Sequence, residues 1–316
     1  LPYIFLPALW IAWERLYHNV DMSWPWLTLG NAFAGSTTLV QWYEYTGTLG
    51  GSLWVWISNL SVFGLLSAFL NRSWRNRTAI SFILAHLGCL LAIAGPIILS
   101  LVVYRNYTEH KEGTLDVLVV QPNIDPYQKF QSMSQSEQTG ILLEECASNI
   151  QPSDSSGLLV LAPETFTSDV ILGGGRVSPT MESIRSFLSS NRGVSMLYGA
   201  STYELFETRS SPSVLARPLG EGWYESHNSA IMESSNGNTE VYHKSKLVVG
   251  TELTPYPRIF VPLEKFLCRM LNETSLMGHC VGQKEVSLLH AGTVPLGCAI
   301  CYESIYGEFC TSYVRK

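Results

Sequence analysis

Two long stretches of the chain carry no charged residue, Leu53 to Leu70 and Thr78 to Tyr104. Crossing a hydrocarbon core takes about 20 helical residues, so each stretch predicts a transmembrane helix. Pro96 in the second is tolerable there, because neighbouring helices can satisfy the carbonyl it frees. Leu1 to Trp13 is apolar but shorter and does not begin with Met. Lacking a basic start and a small-residue cleavage site, it reads as the tail of a further span and not as a signal peptide. Trp24 to Tyr43 is apolar but interrupted by Gly30, Asn31 and Gly35, a pattern open to a span or a re-entrant segment.

After Tyr104 the pattern changes to short apolar runs separated by polar turns. Leu115 to Gln121 is rich in β-branched residues and ends at Pro122-Asn123, which predicts a buried strand. Similar runs recur at Gly157 to Ala162, Ser195 to Ser201, Ser229 to Glu233, Thr239 to Tyr242, Val286 to His290 and Val294 to Ile300. Helical spacing appears in Ser136 to Ile150, which places Ile141, Leu142, Leu143 and Cys146 on one broad face, and in Pro179 to Ser190, opened by a proline suited to a first turn. Thr208 to Gly222 and Ser234 to Asn238 read as loops. Many strands with interspersed helices predict an α/β or α+β sandwich, with no internal repeat and no glycine-rich phosphate loop.

Charge sharpens the division. The 316 residues are 46% hydrophobic and 15% charged, against about 25% charged in an ordinary soluble domain. Residues 1–104 hold only Arg15, Arg72, Arg75, Arg77, Glu14, Asp21 and Glu44, with no lysine, and the other 39 charges follow. The chain is therefore expected to comprise a membrane region, 1–104, and a globular domain, 105–316. Three of the arginines lie between the two clear spans, in Asn71 to Arg77. Positive loops stay cytoplasmic, so the globular domain is expected outside the cytoplasm, in the periplasm of a Gram-negative cell. Seven cysteines leave at least one unpaired. Cys268 and Cys280 are the one pair considered for a disulfide, with two free thiols as the alternative.

Candidate chemistry centres on Gly297-Cys298-Ala299-Ile300-Cys301-Tyr302-Glu303-Ser304, where an apolar strand is expected to run into a cysteine at a sharp strand-to-helix turn. Backbone amides and a helix start there would stabilise a thiolate and a developing oxyanion. Two other apolar runs end on a charge: Leu161-Ala162-Pro163-Glu164 and Tyr242-His243-Lys244. A carboxylate beside a thiol can act as its base, and a lysine can hold a thiolate or a tetrahedral oxyanion. Each has a plainer account, Glu164 as an acid at a helix start and Lys244 as a solvated strand end. Lys246 points to the same side of a strand as Lys244, so spacing does not choose between them. Cys298-Ala299-Ile300-Cys301 also matches C-x-x-C. Redox pairs open a helix, however, and alternation in a strand would put these sulfurs on opposite faces; with no second Cys pair nearby zinc is poorly supported, and Cys298 reads as a small core residue. No G-x-S-x-G elbow is present, and His243 reads as a strand residue.

These residues resemble the nitrilase superfamily, whose catalytic Glu, Lys and Cys come in this order and at strand ends. More narrowly, the chain resembles the bacterial apolipoprotein N-acyltransferases, membrane proteins with an exported nitrilase-like domain. The matching segments are Val120-Gln121-Pro122-Asn123-Ile124, Pro163-Glu164-Thr165, Tyr242 to Val248, Gly250-Thr251-Glu252 and Ile300-Cys301-Tyr302-Glu303, together with Trp13-Glu14-Arg15, Leu39-Val40-Gln41 and Gly50 to Val55. The resemblance implies a membrane helical part followed by an α/β nitrilase-like four-layer α-β-β-α sandwich. It implies Glu164 as general base, Lys244 as oxyanion stabiliser and Cys301 as nucleophile, with Glu252 and Glu303 as supporting acids and Tyr302 beside the nucleophile. Phe130 stands where relatives often carry a lid tryptophan.

The implied reaction moves an acyl chain from a phospholipid to a cysteine thioester, and from there to the α-amino group of a diacylglyceryl-cysteine apolipoprotein. It needs no metal or organic cofactor. Its partners are the phospholipid donor, the diacylated acceptor and the bilayer, and nucleic acid is not among them. The implied location is the bacterial inner membrane, multi-pass, with the catalytic domain in the periplasm. Relatives have further spans before Leu1 and more chain after Lys316, so the sequence is expected to be incomplete at both ends. The alternatives are a membrane-bound amidase-like hydrolase with the same triad, and a non-catalytic transporter or scaffold. Few charges lie within the spans, which argues against an ion path; the exception, Glu44, is more plainly a helix-end residue.

Overall fold

A computed structural model describes residues 2–72, 78–109, 113–151, 157–173, 177–209 and 212–315. They form two compact units, residues 1–111 and 112–316.

In the first unit, α1 (Pro2–Tyr17) is followed by three short 3-10 turns and then by α2 (Tyr43–Leu70) and α3 (Ala79–Asn106). Helices α2 and α3 are long and apolar enough to cross a membrane, and their most apolar windows are only 6% and 11% buried. A core helix of a soluble domain would be mostly covered, so the apolar surface here is one that lipid suits. Each helix outruns its charge-free stretch at one end, α2 at its start and α3 at its finish; α3 is capped by Thr78, whose hydroxyl accepts from the Ser81 amide, and Glu44 sits exposed in the first turn of α2, where an acid complements the helix dipole. Trp24 to Tyr43 is not a span. It folds into the turns Pro25–Leu27, Leu29–Phe33 and Thr37–Leu39, each too short to cross. Of the arginine loop only Asn71 and Arg72 are among the described residues; 73–77, with Arg75 and Arg77, lie outside them.

The second unit is built on a mixed sheet. Strands β1 (Asp116–Val119), β2 (Leu158–Leu161) and β4 (Val194–Phe206) run parallel, while β6 (Gly222–Ser234) is antiparallel to β4 from Ser195 opposite Ser234 to Phe206 opposite Trp223. The long strands each serve two neighbours. β2 and then β3 (Thr167–Leu172) lie along successive parts of β4, and β5 (Arg217–Leu219) and then β7 (Thr239–His243) along successive parts of β6. β5 falls in the segment expected to be a loop: Arg217, Pro218 and Leu219 look turn-like in sequence but pair with Tyr224, Trp223 and Gly222.

Both faces of the sheet are covered, which is why its central strands are continuously apolar. Leu158, Val160, Val194, Met196 and Ile231 pack under α5 (Gln135–Asn149) and α6 (Pro179–Ser190) through Leu142, Cys146, Met181, Ile184 and Leu188. The predicted helices are thus present, α5 with a Ser134/Glu137 capping box and α6 with Ser178 as cap and Pro179 in the first turn. Leu159, Leu197, Ala230, Met232 and Tyr242 face the other way, against Val286, Leu289, Ile300, Tyr302, Tyr306 and Phe309. This second layer contains a two-stranded ladder, β8 (Leu289–Ala291) with β9 (Val294–Leu296), and the short helix α8 (Gly307–Ser312). A mixed α/β domain is borne out. Of the implied four layers, the described residues supply the helices, one full sheet and this small ladder.

One further expectation is corrected, and of two alternatives left open for the cysteines one is found. The strand expected through Ile300 stops at Leu296, since the Ile300 amide donates to the Glu303 carboxylate and not to a neighbouring strand. Cys268 and Cys280 are both free thiols; Cys268 lies on α7 (Pro257–Leu271), and Cys280 has Ser226 as its neighbour.

Candidate active site

Glu164 sits where the chain leaves β4 and rejoins it, since Leu161 pairs with Leu197 and Thr167 with Ala200. The excursion is tight. Thr165 adopts a left-handed φ of 49°, and the turn closes over Gly199, whose amide donates to Pro163 O at 3.0 Å while its carbonyl accepts from the Phe166 amide at 2.8 Å. A Cβ at Gly199 would lie 2.5 Å from Glu164 Cα, so only glycine allows this approach.

Lys244 directly follows β7 and is 1% exposed. An ammonium so deep needs carboxylate partners, and two meet it: Glu252 Oε1 at 2.9 Å and Glu164 Oε1 at 3.3 Å. Asn228 completes the group, donating from Nδ2 to Glu164 Oε1 at 2.8 Å and to Glu252 Oε1 at 2.7 Å. The other Glu252 oxygen accepts from the Val248 amide at 2.8 Å. Burial works to lower the pKa of Lys244, but the hydrogen bond and charge of Glu252, joined by Glu164, hold it above the usual lysine value. Lys246 is in a different setting, with its ammonium 5.2 Å from the centre of the Tyr306 ring.

Cys301 is exposed and has φ +45°, a left-handed conformation that is costly for a residue with a Cβ. It opens a 3-10 turn, Cys301–Ile305, and not the α-helix anticipated at this point. Among the described residues no hydrogen bond joins its thiol to Glu164 or Lys244. What connects the cysteine turn to the lysine segment is Glu303, fully buried. One of its oxygens accepts from Tyr242 Oη and the Ser245 amide, both at 2.6 Å, and from the Lys246 amide at 3.1 Å; the other accepts from the Ile300 amide at 2.8 Å. Burial raises the pKa of Glu303, opposed by these four donors.

The remaining expected residues divide. Tyr302 is 2% exposed and sets its ring edge-on to Tyr306 inside the core. Phe130 is 74% exposed on α4 (Pro126–Gln131). Its neighbour Lys129 ties that helix to the Glu164 turn, donating to Thr165 O at 2.7 Å. Cys298 is packed against the core, and burial first, with the charges of Glu303 and Glu164, pushes its thiol up to about 12, which suits an inert residue. Asn228 and Lys129 carry no mark in the sequence reading, and Tyr242 enters it only as part of the lysine segment. A signal for Asn228 was present: Ser226-His227-Asn228-Ser229 is a polar run entering a buried strand, and buried polar groups need partners.

Residues 1–61 match the profile of the Apolipoprotein N-acyltransferase N-terminal domain. Along 318 aligned residues, 98% of this chain, it is 26% identical to an apolipoprotein N-acyltransferase of Chlorobaculum tepidum. The chain spans 57% of that protein's length. The resemblance to the apolipoprotein N-acyltransferases is thereby borne out.

Proposed function

We propose, from its likeness to the apolipoprotein N-acyltransferases, that this chain carries the acyl-transfer centre of such an enzyme, with Glu164 as general base, Lys244 as oxyanion stabiliser and Cys301 as nucleophile. The observation that carries the reading is a buried lysine held between two carboxylates, Glu164 and Glu252, and bound through Glu303 to the turn bearing an exposed, backbone-strained cysteine.

In the first stage Glu164 takes the Cys301 proton and the thiolate attacks the ester carbonyl of a phospholipid. The oxyanion that forms is stabilised by the Lys244 ammonium. When it collapses, the C–O bond breaks and the lysophospholipid alkoxide leaves with the proton from Glu164. Cys301 is left as a thioester. In the second stage the α-amino group of a diacylglyceryl-cysteine attacks that thioester, gives its proton to Glu164, and expels the thiolate, which is reprotonated. Glu252 and Asn228 keep Lys244 and Glu164 in register, and the helix bearing the exposed Phe130, tied to the Glu164 turn through Lys129, serves in this reading as a lid over the acyl chain.

The domain after α3 is nitrilase-like in this reading and acts on the outer face of the cytoplasmic membrane, anchored by α2 and α3. Both substrates are lipid-anchored, so a domain held against the bilayer meets them at high effective concentration.

The test is to incubate the membrane-inserted protein with a phospholipid carrying a labelled acyl chain, first without acceptor. Hydroxylamine-labile label on the protein, absent in Cys301→Ala and discharged onto a diacylated lipopeptide, is the expected result. Discharge to water in the presence of acceptor would indicate an amidase-like hydrolase. No label on folded protein would sink the covalent mechanism.

A further inference from the structure

We propose that Glu204, Glu225 and His227 form a binding site for a divalent transition-metal ion of the zinc class. Glu204 and Glu225 are direct cross-strand partners of β4 and β6, and His227 lies two positions along β6, so all three project from one face. The same alternation turns His227 away from the face on which Asn228 meets Glu164.

Three observations point to a cation. Like charges directly opposite on neighbouring strands repel, yet Glu225 is only 7% exposed and has Glu204 as its partner. The His227 ring is 6% exposed, and its Nδ1 lies 2.7 Å from Val281 O. A carbonyl only accepts, so Nδ1 carries the hydrogen and Nε2 is the nitrogen left to offer a lone pair to a cation. Among the described residues that buried Nε2 has no hydrogen-bond partner. It stands 3.9 Å from Glu204 Oε2, too far for a hydrogen bond.

The three donor atoms lie within 4.8 Å of one another. Zinc bonds of about 2.0–2.2 Å place tetrahedral ligands roughly 3.3 Å apart, and the half-exposed Glu204 has room to close the difference. The supports are those of a metal site: Val281 O fixes the imidazole tautomer, and the Ser213 amide donates to Glu225 Oε1. One imidazole with two carboxylates suits zinc or manganese better than calcium or magnesium, which favour all-oxygen sets. A bound ion would clamp the Ser213 and Val281 segments to the β4–β6 pair.

The test uses the purified chain in detergent, stripped with a chelator and titrated with Zn²⁺ by calorimetry, with Co²⁺ as a spectroscopic substitute. Expected are one saturable equivalent, a rise in melting temperature on loading, and a Co²⁺ spectrum free of thiolate charge transfer. Glu204→Gln, at an exposed position, should weaken binding roughly tenfold or more, and His227→Gln should abolish it. Absent saturation at micromolar Zn²⁺, a thiolate band placing the metal on a cysteine, or unchanged affinity in Glu204→Gln would each overturn the site, whether or not the His227 variant folds.

Discussion

The hydroxyl of Tyr242 donates a 2.6 Å hydrogen bond to the carboxylate of Glu303, and both side chains are fully buried. Tyr242 stands two positions before Lys244 and Glu303 two positions after Cys301, so this bond joins the lysine segment to the cysteine turn. Glu303→Gln places an amide NH₂ where at least one backbone donor needs an acceptor, at about 1–3 kcal/mol. It is expected to lower the melting temperature and reduce acyl transfer by about a hundredfold or more. Tyr242→Phe removes one donor only and should cost about 1 kcal/mol. Equal behaviour of the two variants in melts and in kcat/KM would disprove the clamp.

Gly199→Ala tests how Glu164 is placed. The new methyl would lie 2.5 Å from Glu164 Cα, so the turn must move outward. Overpacking of this kind costs about 1–3 kcal/mol, and displacing Glu164, the proposed base, loses further activity. The expected result is a drop of roughly a hundredfold in the rate of thioester formation, measured as single-turnover labelling, in protein that still folds.

Lys244 and Lys246 are two residues apart and chemically identical, and the structure separates them. Lys244→Met leaves Glu164 and Glu252 facing each other without their cation, so both stability and labelling should fall, by about 3–5 kcal/mol in stability for a broken buried pair. Lys246→Met removes an ammonium resting over Tyr306 and should retain most activity. Labelling lost in the second variant and kept in the first would reverse the assignment.

Acid sensitivity is expected at Glu264 on α7. Burial raises its pKa, but the Leu276 and Met277 amides and His279 outweigh that and hold the carboxyl below its usual value. A carboxyl depressed in the folded state contributes stability above its unfolded pKa and loses it as pH falls through the folded one. Melts from pH 6 to pH 3 should therefore fall more steeply in the wild type than in Glu264→Gln. Parallel curves would show that this carboxylate is not a source of acid lability.

Residue pattern alone determined the two long apolar helices, the apolar strands Asp116–Val119, Leu158–Leu161 and Thr239–His243, the helices α5 and α6, and the candidates Glu164 and Lys244 at the ends of apolar runs. Each is a local matter: periodicity reports which side of an element is covered, and charge at the end of an apolar run reports where the chain leaves the core. The tertiary structure decided what periodicity does not encode. It set Lys244 against Glu252 and Lys246 over Tyr306, ended the last strand at Leu296, made Arg217–Leu219 a strand and broke Trp24 to Tyr43 into turns. It also brought Asn228 onto Glu164 across 64 positions and Glu303 onto Ser245 across 58. A hydrogen bond leaves no mark on the spacing of either partner; only folding of the chain brings donor and acceptor together.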